Sequence, residues 1–227
     1  MDKYAIIVAA GSGSRMNAKL PKQFMPLAKL PMLFHTIHSF TKITHHILLV
    51  LQEKDFQYWH KICNDYKVKI PVTLVPGGNT RHESVKNAVQ NLPDDCMVAI
   101  HDGARPLVTP TLIAQLFLLA EQKGNAVPVV PLKDSIRKLS KEGNTSENRN
   151  QYVAVQTPQC FKTTELKQAF QSAKHNDYTD EASLYDDLNK AVFLNEGSHT
   201  NIKVTNPEDM VIAEVLFMAL NKAQQKG

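Results

Sequence analysis

The chain has 227 residues, of which 43% are hydrophobic and 21% are charged, and its formal net charge is +4. This composition is that of an ordinary globular protein with one well-buried domain, which excludes a disordered or fibrous chain. The cations are interspersed with acids and form no basic run with interleaved aromatics, so we expect no nucleic-acid partner. No apolar stretch reaches the roughly 18 residues of a membrane span, so we expect no membrane partner.

The cysteines favour a reducing compartment. Cys63, Cys96 and Cys160 cannot all pair within one chain, and they lack the spacing of metal ligands. Met1, Asp2 and Lys3 lead directly into an apolar run, which is unlike a signal peptide. We therefore expect reduced thiols and a cytoplasmic protein.

Short apolar runs alternate with segments of helical periodicity through the first 130 residues. The apolar runs predict strands buried on both faces, at residues 4–9, 46–51, 70–75, 97–101 and 126–130. The segments between them predict helices at residues 32–40, 56–66, 82–91 and 109–123. This order predicts an α/β fold with a mostly parallel sheet flanked by helices.

The pattern becomes polar after residue 130. Residues 135–139 and 151–155 predict the two strands of a hairpin with a turn at 141–144, which together form a β-arm at approximately 132–156. Such a hairpin has little core of its own and could be a solvated excursion, a lid, or an arm that packs on a second subunit. The remaining chain predicts helices at 163–174 and 180–189, strands at 192–195 and 201–204, and a last helix from residue 205. We expect one domain over residues 1–227.

The first predicted strand runs into a loop of small residues. Small residues let backbone N–H groups approach a phosphate, and Arg15 and Lys22 can neutralise its charge. The loop is not the dinucleotide fingerprint, because Met16 stands where the third glycine is needed, and no Gly-Lys-Ser/Thr closes a Walker A loop. It therefore predicts a nucleoside triphosphate site, with a plain glycine turn and solvated cations as the alternative.

A second cluster follows the strand predicted at 70–75. Gly77 and Gly78 free the backbone to bond the edge of a nucleobase, and Ser84 on the next helix can point to the same place. The alternative is a helix-entry turn in which Ser84 is a local polar residue.

A third cluster follows the strand predicted at 97–101. Asp102 at the tip of a buried strand is a candidate ligand for Mg²⁺ held jointly with phosphate oxygens. Gly103 and Ala104 leave room for a sugar, and His101 is expected to be a supporting hydrogen-bond partner. Arg105 either serves a substrate or pairs structurally with Asp102.

A fourth cluster is spread over residues 156–159, 179–183 and 201–205. Lys203 lies within a predicted apolar strand, where a lysine is costly unless its amine has a partner such as a reacting phosphate. Thr179 has an alternative interpretation as a helix N-cap. Since ligands in open α/β sheets bind beyond the carboxyl ends of strands, we expect the four clusters to meet there.

These motifs occur in one order in a known family, which the chain resembles nearly end to end: 2-C-methyl-D-erythritol 4-phosphate cytidylyltransferase. The matching residues are Ala9-Ala10-Gly11-x-Gly13-x-Arg15-Met16, Pro21-Lys22-Gln23, Gly77-Gly78-x-x-Arg81-x-x-Ser84-Val85, His101-Asp102-Gly103-Ala104-Arg105-Pro106, Thr157-Pro158-Gln159, Thr179-Asp180-Glu181-Ala182-Ser183 and Asn201-Ile202-Lys203-Val204-Thr205. The resemblance implies a Rossmann-like nucleotidyltransferase (GT-A-like) fold and a homodimer whose β-arm crosses to the partner. It also implies that CTP and methylerythritol phosphate react, with Mg²⁺, to release pyrophosphate.

The resemblance further implies residue roles. Arg15 and Lys22 match cations that stabilise the transition state, while Arg149 and Lys203 match cations that position methylerythritol phosphate. With the loop arguments above, nucleotide contacts are assigned to Ala9, Ala10, Gly11, Gly13, Gly77, Gly78, Ser84, Asp102 and Gly103. Contacts to the second substrate are assigned to Asp102, Arg105, Ser135, Arg149, Thr179 and Lys203, and the metal to Asp102. Ser135 and Arg149 are expected to reach the neighbouring subunit's site.

The chain departs from the family pattern at three positions. Gly103 replaces a more frequent alanine, which we expect to be harmless, and Ser135 replaces a threonine while preserving the hydroxyl. Thr200 stands where some members carry an aspartate, so the resemblance does not establish a second carboxylate ligand for the metal in this chain.

Two other functions are compatible with these residues. A ribitol-5-phosphate cytidylyltransferase has similar loops, although the Ala9-Ala10-Gly11 start looks more like the methylerythritol enzyme. A nucleotide-binding regulator without catalysis is the other, and retention of Arg15, Lys22, Asp102 and Lys203 speaks against it.

Overall fold

The structure is a computed structural model and describes residues 1–11 and 20–224. Within these residues the strands are β1 (Lys3–Val8), β2 (Pro26–Leu27), β3 (Leu30–Pro31), β4 (His46–Leu51), β5 (Thr73–Pro76), β6 (Met97–Asp102), β7 (Asn125–Pro131), β8 (Ile136–Ser140), β9 (Gly143–Glu147), β10 (Val153–Val155), β11 (Gln159–Lys162) and β12 (Leu194–Glu196). The helices are α1 (Met32–Thr41), α2 (Phe56–Asp65), α3 (Arg81–Val89), α4 (Pro110–Lys123), α5 (Thr163–Gln171), α6 (Ala182–Asp187) and α7 (Pro207–Gln224).

The central sheet is mostly parallel, as the alternation of strands and helices predicts. Its order is β10-β7-β11-β6-β1-β4-β5, with β12 also paired to β7. Strands β6, β1, β4 and β5 run parallel to one another, whereas β11 is antiparallel to both β6 and β7. Helices cover both faces of the sheet, because the inner strands are buried on both faces and apolar throughout.

The carboxyl ends of the parallel strands lie at one edge, and hydrogen bonds tie together the loops that follow them. Ala9 N donates to Val50 O at 2.9 Å, Gly77 N to Leu51 O at 2.8 Å, and Gly103 N to Val8 O at 2.8 Å. The backbone hydrogen bonding between neighbouring strands therefore continues into the first residue after each of β1, β5 and β6. The loops after β1, β5 and β6 are fixed relative to one another before any ligand binds.

The β-arm exists, but its pairing differs from the prediction. Its two strands are β8 and β9, which pair from Ile136 with Glu147 to Ser140 with Gly143. The segment predicted as the second arm strand, 151–155, contains β10, which pairs with β7 in the central sheet. The arm is largely exposed, and Leu139 at its side is 80% accessible.

The second half of the chain shows two further differences. The strand predicted at 201–204 is an irregular segment, because its polar groups bond to side chains and loops instead of a ladder: Val204 N donates to Ala104 O and Asn201 Nδ2 to Thr157 O, both at 2.8 Å. Strand β11 was not predicted, and it inserts antiparallel between β6 and β7.

The last helix packs through one face only. Its Ala213 is fully buried in a small cluster with Leu27 and Val204, whereas Val211 and Val215 are exposed. The predicted apolar face is therefore divided between a packed side and a solvent side. Among the described residues, the helices are all too short or too polar to cross a membrane.

Candidate active site

A cavity of about 670 Å³ opens at the carboxyl edge of the parallel strands. It brings together parts of all four sequence clusters. The predicted site residues that line it are Ala9, Ala10, Gly11, Lys22, Gly78, Ser84, Asp102 and Lys203. The expectation that these strand ends form one site is consistent with this arrangement.

One wall of the cavity is built by contacts between two loops. A Cβ on Gly77 would lie 2.4 Å from the Cβ of Ala10, so only glycine allows the loops after β1 and β5 to approach this closely. Gln52, at the end of β4, donates from Nε2 to Ala10 O at 2.8 Å and so joins the same loops. The sequence analysis did not identify Gln52.

Ser84 lines the cavity and also makes local hydrogen bonds at the start of α3, so both interpretations of its cluster apply. Its Oγ accepts from Gly78 N at 3.0 Å and donates to Thr80 O at 2.8 Å, and Thr80 itself caps α3 by accepting from Glu83 N. The hydroxyl therefore fixes the loop while it lines the cavity. It shapes the wall that meets a ligand.

Asp102 is the centre of the charge arrangement. Its Oδ1 accepts from Arg81 Nε at 3.2 Å, and its Oδ2 lies 2.7 Å from Lys203 Nζ and 3.9 Å from Arg105 Nε. Burial opposes ionisation of this carboxyl, but the cations, Arg81 and Lys203 foremost, hold its pKa well below the usual range. Asp102 is therefore a carboxylate at any physiological pH.

Arg81 links Asp102 to a second buried acid. Its Nη1 and Nη2 donate to the two carboxylate oxygens of Glu181 at 2.7 and 3.0 Å, in a bidentate pair. Burial disfavours the charge on Arg81, but Glu181 and Asp102 raise the pKa of its guanidinium above the ordinary value. Neither Arg81 nor Glu181 was predicted to be a site residue. A cation in the glycine cluster and an acid in a helix-start motif were the available signals.

Two lysines face the cavity from neighbouring segments. Lys22 Nζ donates to Val204 O at 3.1 Å, so it is held against the segment that carries Lys203. Lys203 is 40% exposed on its side chain, which leaves its amine accessible from the cavity although it contacts Asp102. Both lysines contribute positive charge to the lining of the cavity.

A buried polar chain supports the end of β6. His101 Nε2 contacts Arg105 O at 3.1 Å and its Nδ1 contacts Thr157 Oγ1 at 3.0 Å, while Thr157 Oγ1 accepts from Asp102 N at 3.1 Å. These contacts are all satisfied by a neutral imidazole protonated on Nε2. Burial lowers the pKa of His101 to about 4, which agrees with the neutral form and with the supporting role predicted for it.

Arg105 lies behind the cavity rather than on its wall. Its Nη1 donates to Asn201 O at 2.8 Å, and the side chain is largely buried. This is close to the structural alternative considered for it, a partner of Asp102 that holds the backbone before Lys203.

Several predicted site residues are not brought to the cavity. Ser135, Arg149 and Thr179 are exposed and do not line it, and Arg149 donates to Lys133 O within the arm. Arg15 and Gly13 lie outside the described residues. Their roles stay predictions.

The remaining polar details concern the helix start and the metal. Thr179 is not the N-cap of α6, which is Glu181, and Asp180 Oδ1 accepts from Ser183 N at 3.0 Å. Thr200 shares a hydrogen bond with Ser198 Oγ at 2.8 Å. In the described part of the chain, His, Cys, Asp and Glu form no group of three that could hold a metal ion, and the carboxylates among the described lining residues are those of Asp55 and Asp102.

Comparison with known proteins gives a consistent result. Residues 4–219 match the family model of 2-C-methyl-D-erythritol 4-phosphate cytidylyltransferase (IspD). The enzyme of that name from Porphyromonas gingivalis is 42% identical over 95% of this chain and 97% of its own length, and the one from Bacillus cereus is 41% identical over 92% and 95%.

Solved structures agree with the fold. The 4-diphosphocytidyl-2C-methyl-D-erythritol synthase of Anaerococcus prevotii superposes with a TM-score of 0.82 over 96% of this chain and 98% of its own, at 22% identity. The Thermus thermophilus 2-C-methyl-D-erythritol 4-phosphate cytidylyltransferase gives 0.76 over 94% and 98%, at 28% identity. The family match, the curated relatives and the shared fold together show that this chain belongs to the 2-C-methyl-D-erythritol 4-phosphate cytidylyltransferase family.

Proposed function

We propose that this chain transfers a cytidylyl group from CTP to 2-C-methyl-D-erythritol 4-phosphate, giving 4-diphosphocytidyl-2-C-methyl-D-erythritol and pyrophosphate in the non-mevalonate isoprenoid pathway. Family membership supports the reaction. The observation that carries it to this chain is the cavity in which Lys22, Lys203 and Asp102 face a wall of close-packed glycine loops. Such a cavity offers cations for phosphates beside a backbone wall for a nucleotide.

The mechanism is in-line attack of the substrate phosphate on the α-phosphorus of CTP. The bond from that phosphorus to the bridging oxygen breaks, and pyrophosphate leaves. Because the nucleophile is already an anion near neutral pH, no strong general base is needed, and catalysis depends on positioning and charge neutralisation.

Each residue then has a part in that reaction. Lys22, together with Arg15, stabilises charge on the reacting phosphates, and Lys203 positions the methylerythritol phosphate with Arg149. Ala10, Gly11, Gly78 and Ser84 form the nucleotide wall. Support for these parts comes from the cavity lining and the accessibility of Lys203.

The carboxylate of Asp102 is a suitable ligand for a divalent cation, Mg²⁺ or another. Asp102 is ionised and faces the cavity, and it would hold the ion jointly with phosphate oxygens of CTP, where the ion neutralises charge on the triphosphate. Mg²⁺ keeps several waters and is commonly held by one or two carboxylates plus substrate phosphates, so it does not require a group of three protein ligands.

The proposed assembly is a homodimer joined through the β-arm. The arm's exposure supports this, because Ser135 and Arg149 lie on or beside a hairpin that leaves Leu139 in solvent. An isolated two-stranded hairpin has marginal stability, so a surface on a second copy is its natural support. A cytoplasmic location is proposed from the unpaired Cys63, Cys96 and Cys160.

The substrate assignment is tested by measuring pyrophosphate release from CTP with methylerythritol phosphate and, separately, with ribitol 5-phosphate. Turnover with methylerythritol phosphate is expected to exceed that with ribitol phosphate clearly. The reverse preference would assign the chain to the ribitol reaction. No release with either polyol phosphate, despite CTP binding, would favour a regulator.

A further inference from the structure

Glu181 is the most deeply buried acid near the cavity, yet it does not line it. Its side chain is 3% exposed, and its two carboxylate oxygens accept from Arg81 Nη1 and Nη2 at 2.7 and 3.0 Å. A buried carboxylate is costly unless it is paired, and this one is paired in bidentate geometry with a guanidinium. The pair joins residues 100 positions apart in the sequence, at the starts of α3 and α6.

The bidentate pair fixes which atom of Arg81 meets Asp102. With Nη1 and Nη2 occupied by Glu181, the Nε–H is the group that points to Asp102 Oδ1, at 3.2 Å. Oδ2 is left on the other side, 2.7 Å from Lys203 Nζ. The two oxygens of Asp102 therefore have separate partners, one in the interior and one at the cavity.

The charges support the same arrangement. Three cations, Arg81, Arg105 and Lys203, lie within 4 Å of Asp102, and Asp102 alone could not balance them. Glu181 balances Arg81. The negative charge of Asp102 is therefore available to Lys203, on the side of the cavity.

We infer that Glu181 is a positioning residue, which acts through Arg81 to orient the carboxylate of Asp102 so that Oδ2 faces Lys203 and the bound substrates. This inference rests on the proposed function, since it concerns the same reaction. With glutamine at position 181, Arg81 keeps at most one of its two acceptors there, because the amide nitrogen is a donor, and it loses the bidentate pair. Its guanidinium then turns toward Asp102, engages both oxygens and displaces Lys203.

The test is Glu181→Gln, which keeps the size of the side chain and removes its charge. We expect kcat to fall by about 10- to 100-fold, the usual range for groups that orient a functional ligand. The KM for CTP is expected to change less than kcat, because the hydrogen bonds that hold the wall at Ala10 and Ser84 are made with Gln52, Gly78 and Thr80 and not with Glu181. An unchanged kcat in a folded variant would overturn the inference.

Loss of stability alone must be separated from loss of positioning. Leu116→Ala opens a cavity at a fully buried residue of α4, in a core cluster that includes no residue of α3 or α6, and is the matched control for stability. It is expected to lower the midpoint of thermal unfolding but to keep kcat at a temperature where both variants are folded. An equal loss of kcat in this control would also overturn the inference.

A second variant keeps the inference testable if Glu181→Gln does not fold. Arg81→Lys retains the positive charge but cannot donate to two carboxylates in a fork, so it is expected to show the same loss of kcat with little change in the KM for CTP. Wild-type kcat in Arg81→Lys would refute the positioning role. If the wild-type chain itself does not release pyrophosphate, the proposed function fails, which is distinct from an active wild type with an equally active Glu181→Gln.

Discussion

The cavity and the β-arm were both predicted from the sequence, but they are built in opposite ways. At the cavity, Asp102 is held by the backbone of β6, by Thr157 and by cations from distant segments. The arm strands β8 and β9 pair with each other alone within the described sheets. The described wall of the cavity is therefore held by several segments of the chain, whereas the two arm strands are held by each other alone within the described sheets.

The difference has a physical origin. Buried parallel strands present their ends at one edge, so residues at those ends are placed by the whole sheet. A two-stranded ribbon places its residues only relative to itself. Arg149, whose described contact is to Lys133 O within the arm, is therefore placed relative to the arm rather than by the parallel strands.

The largest expected effect comes from the cavity side. Lys22→Ala removes a cation held beside the Lys203 segment, and kcat is expected to fall by about 10²–10³, the usual loss for one charge contact to a transition state. Steady-state pyrophosphate release measures it. Lys42→Ala, at an exposed lysine after α1, is the control and should retain wild-type turnover. Unchanged turnover in Lys22→Ala would remove Lys22 from its proposed role.

The arm side is tested by Arg149→Ala, expected to cost about 10² in turnover because a charge contact to the second substrate is lost. The decisive measurement mixes this variant with Lys22→Ala under conditions that exchange subunits. If each arm completes the partner's site, a mixed dimer has one intact site and one doubly defective site. Activity should then return to about a quarter of wild type, because half of the dimers are mixed and half of their sites are intact.

The alternative outcome of mixing is equally clear. If Arg149 serves the cavity of its own chain, every site carries one of the two substitutions and activity does not return. That result would place both halves of the site in one chain. It would end the contrast between cavity and arm.

The strand ends could be predicted from the sequence because their signals are local. A continuously apolar run followed by Asp102 or by two glycines is enough to locate a strand end, and parallel topology then brings such ends together. Position 103 shows the limit of this reasoning. We expected alanine there to be equivalent to Gly103, but a Cβ would lie 3.0 Å from the Cβ of Ala9 and 3.2 Å from Leu33 Cδ1.

The arm register and the Arg81–Glu181 pair could not be predicted because their signals are not local. Val153–Val155 is short and apolar and was predicted as part of an arm strand, but it pairs with β7. The polar segment Gly143–Glu147 carries no strand pattern and is paired by the turn that precedes it. Arg81 and Glu181 lie 100 positions apart, and nothing near either residue indicates the other. Only the three-dimensional fold identifies such a pair.

The stability of the buried polar chain at the end of β6, which contains His101, should depend on pH. Burial lowers the pKa of His101 from the ordinary 6.5 to about 4 in the folded chain. Between these values the unfolded chain binds a proton that the folded chain does not, so the free energy of unfolding falls as the pH falls from 6.5 toward 4. This group contributes a loss of roughly 3 kcal/mol over that window.

The measurement is the free energy of unfolding by denaturant at pH 7, 6, 5 and 4.5, with a chelator present to remove divalent cations. His101→Gln should flatten the pH dependence, whatever its effect on stability at pH 7. His60→Gln, at an exposed histidine of α2, should retain the wild-type slope. An equal slope in wild type and His101→Gln would mean that the imidazole titrates normally.

The smallest expected effect concerns the packing around Gly103, at the end of β6. Gly103→Ala places a methyl group 3.0 Å from the Cβ of Ala9 and 3.2 Å from both Leu33 Cδ1 and Val8 O, so neighbours must move by a few tenths of an ångström. Overpacking costs about 1–3 kcal/mol, while the loss of glycine freedom in the unfolded chain returns about 0.4–1 kcal/mol. We expect a net loss of about 1 kcal/mol in the free energy of unfolding. Gly11→Ala, where a Cβ meets nothing within 4 Å, should show no overpacking loss. Equal stability of Gly103→Ala and Gly11→Ala would contradict this prediction. It would mean that the neighbours of position 103 accommodate a methyl group without strain.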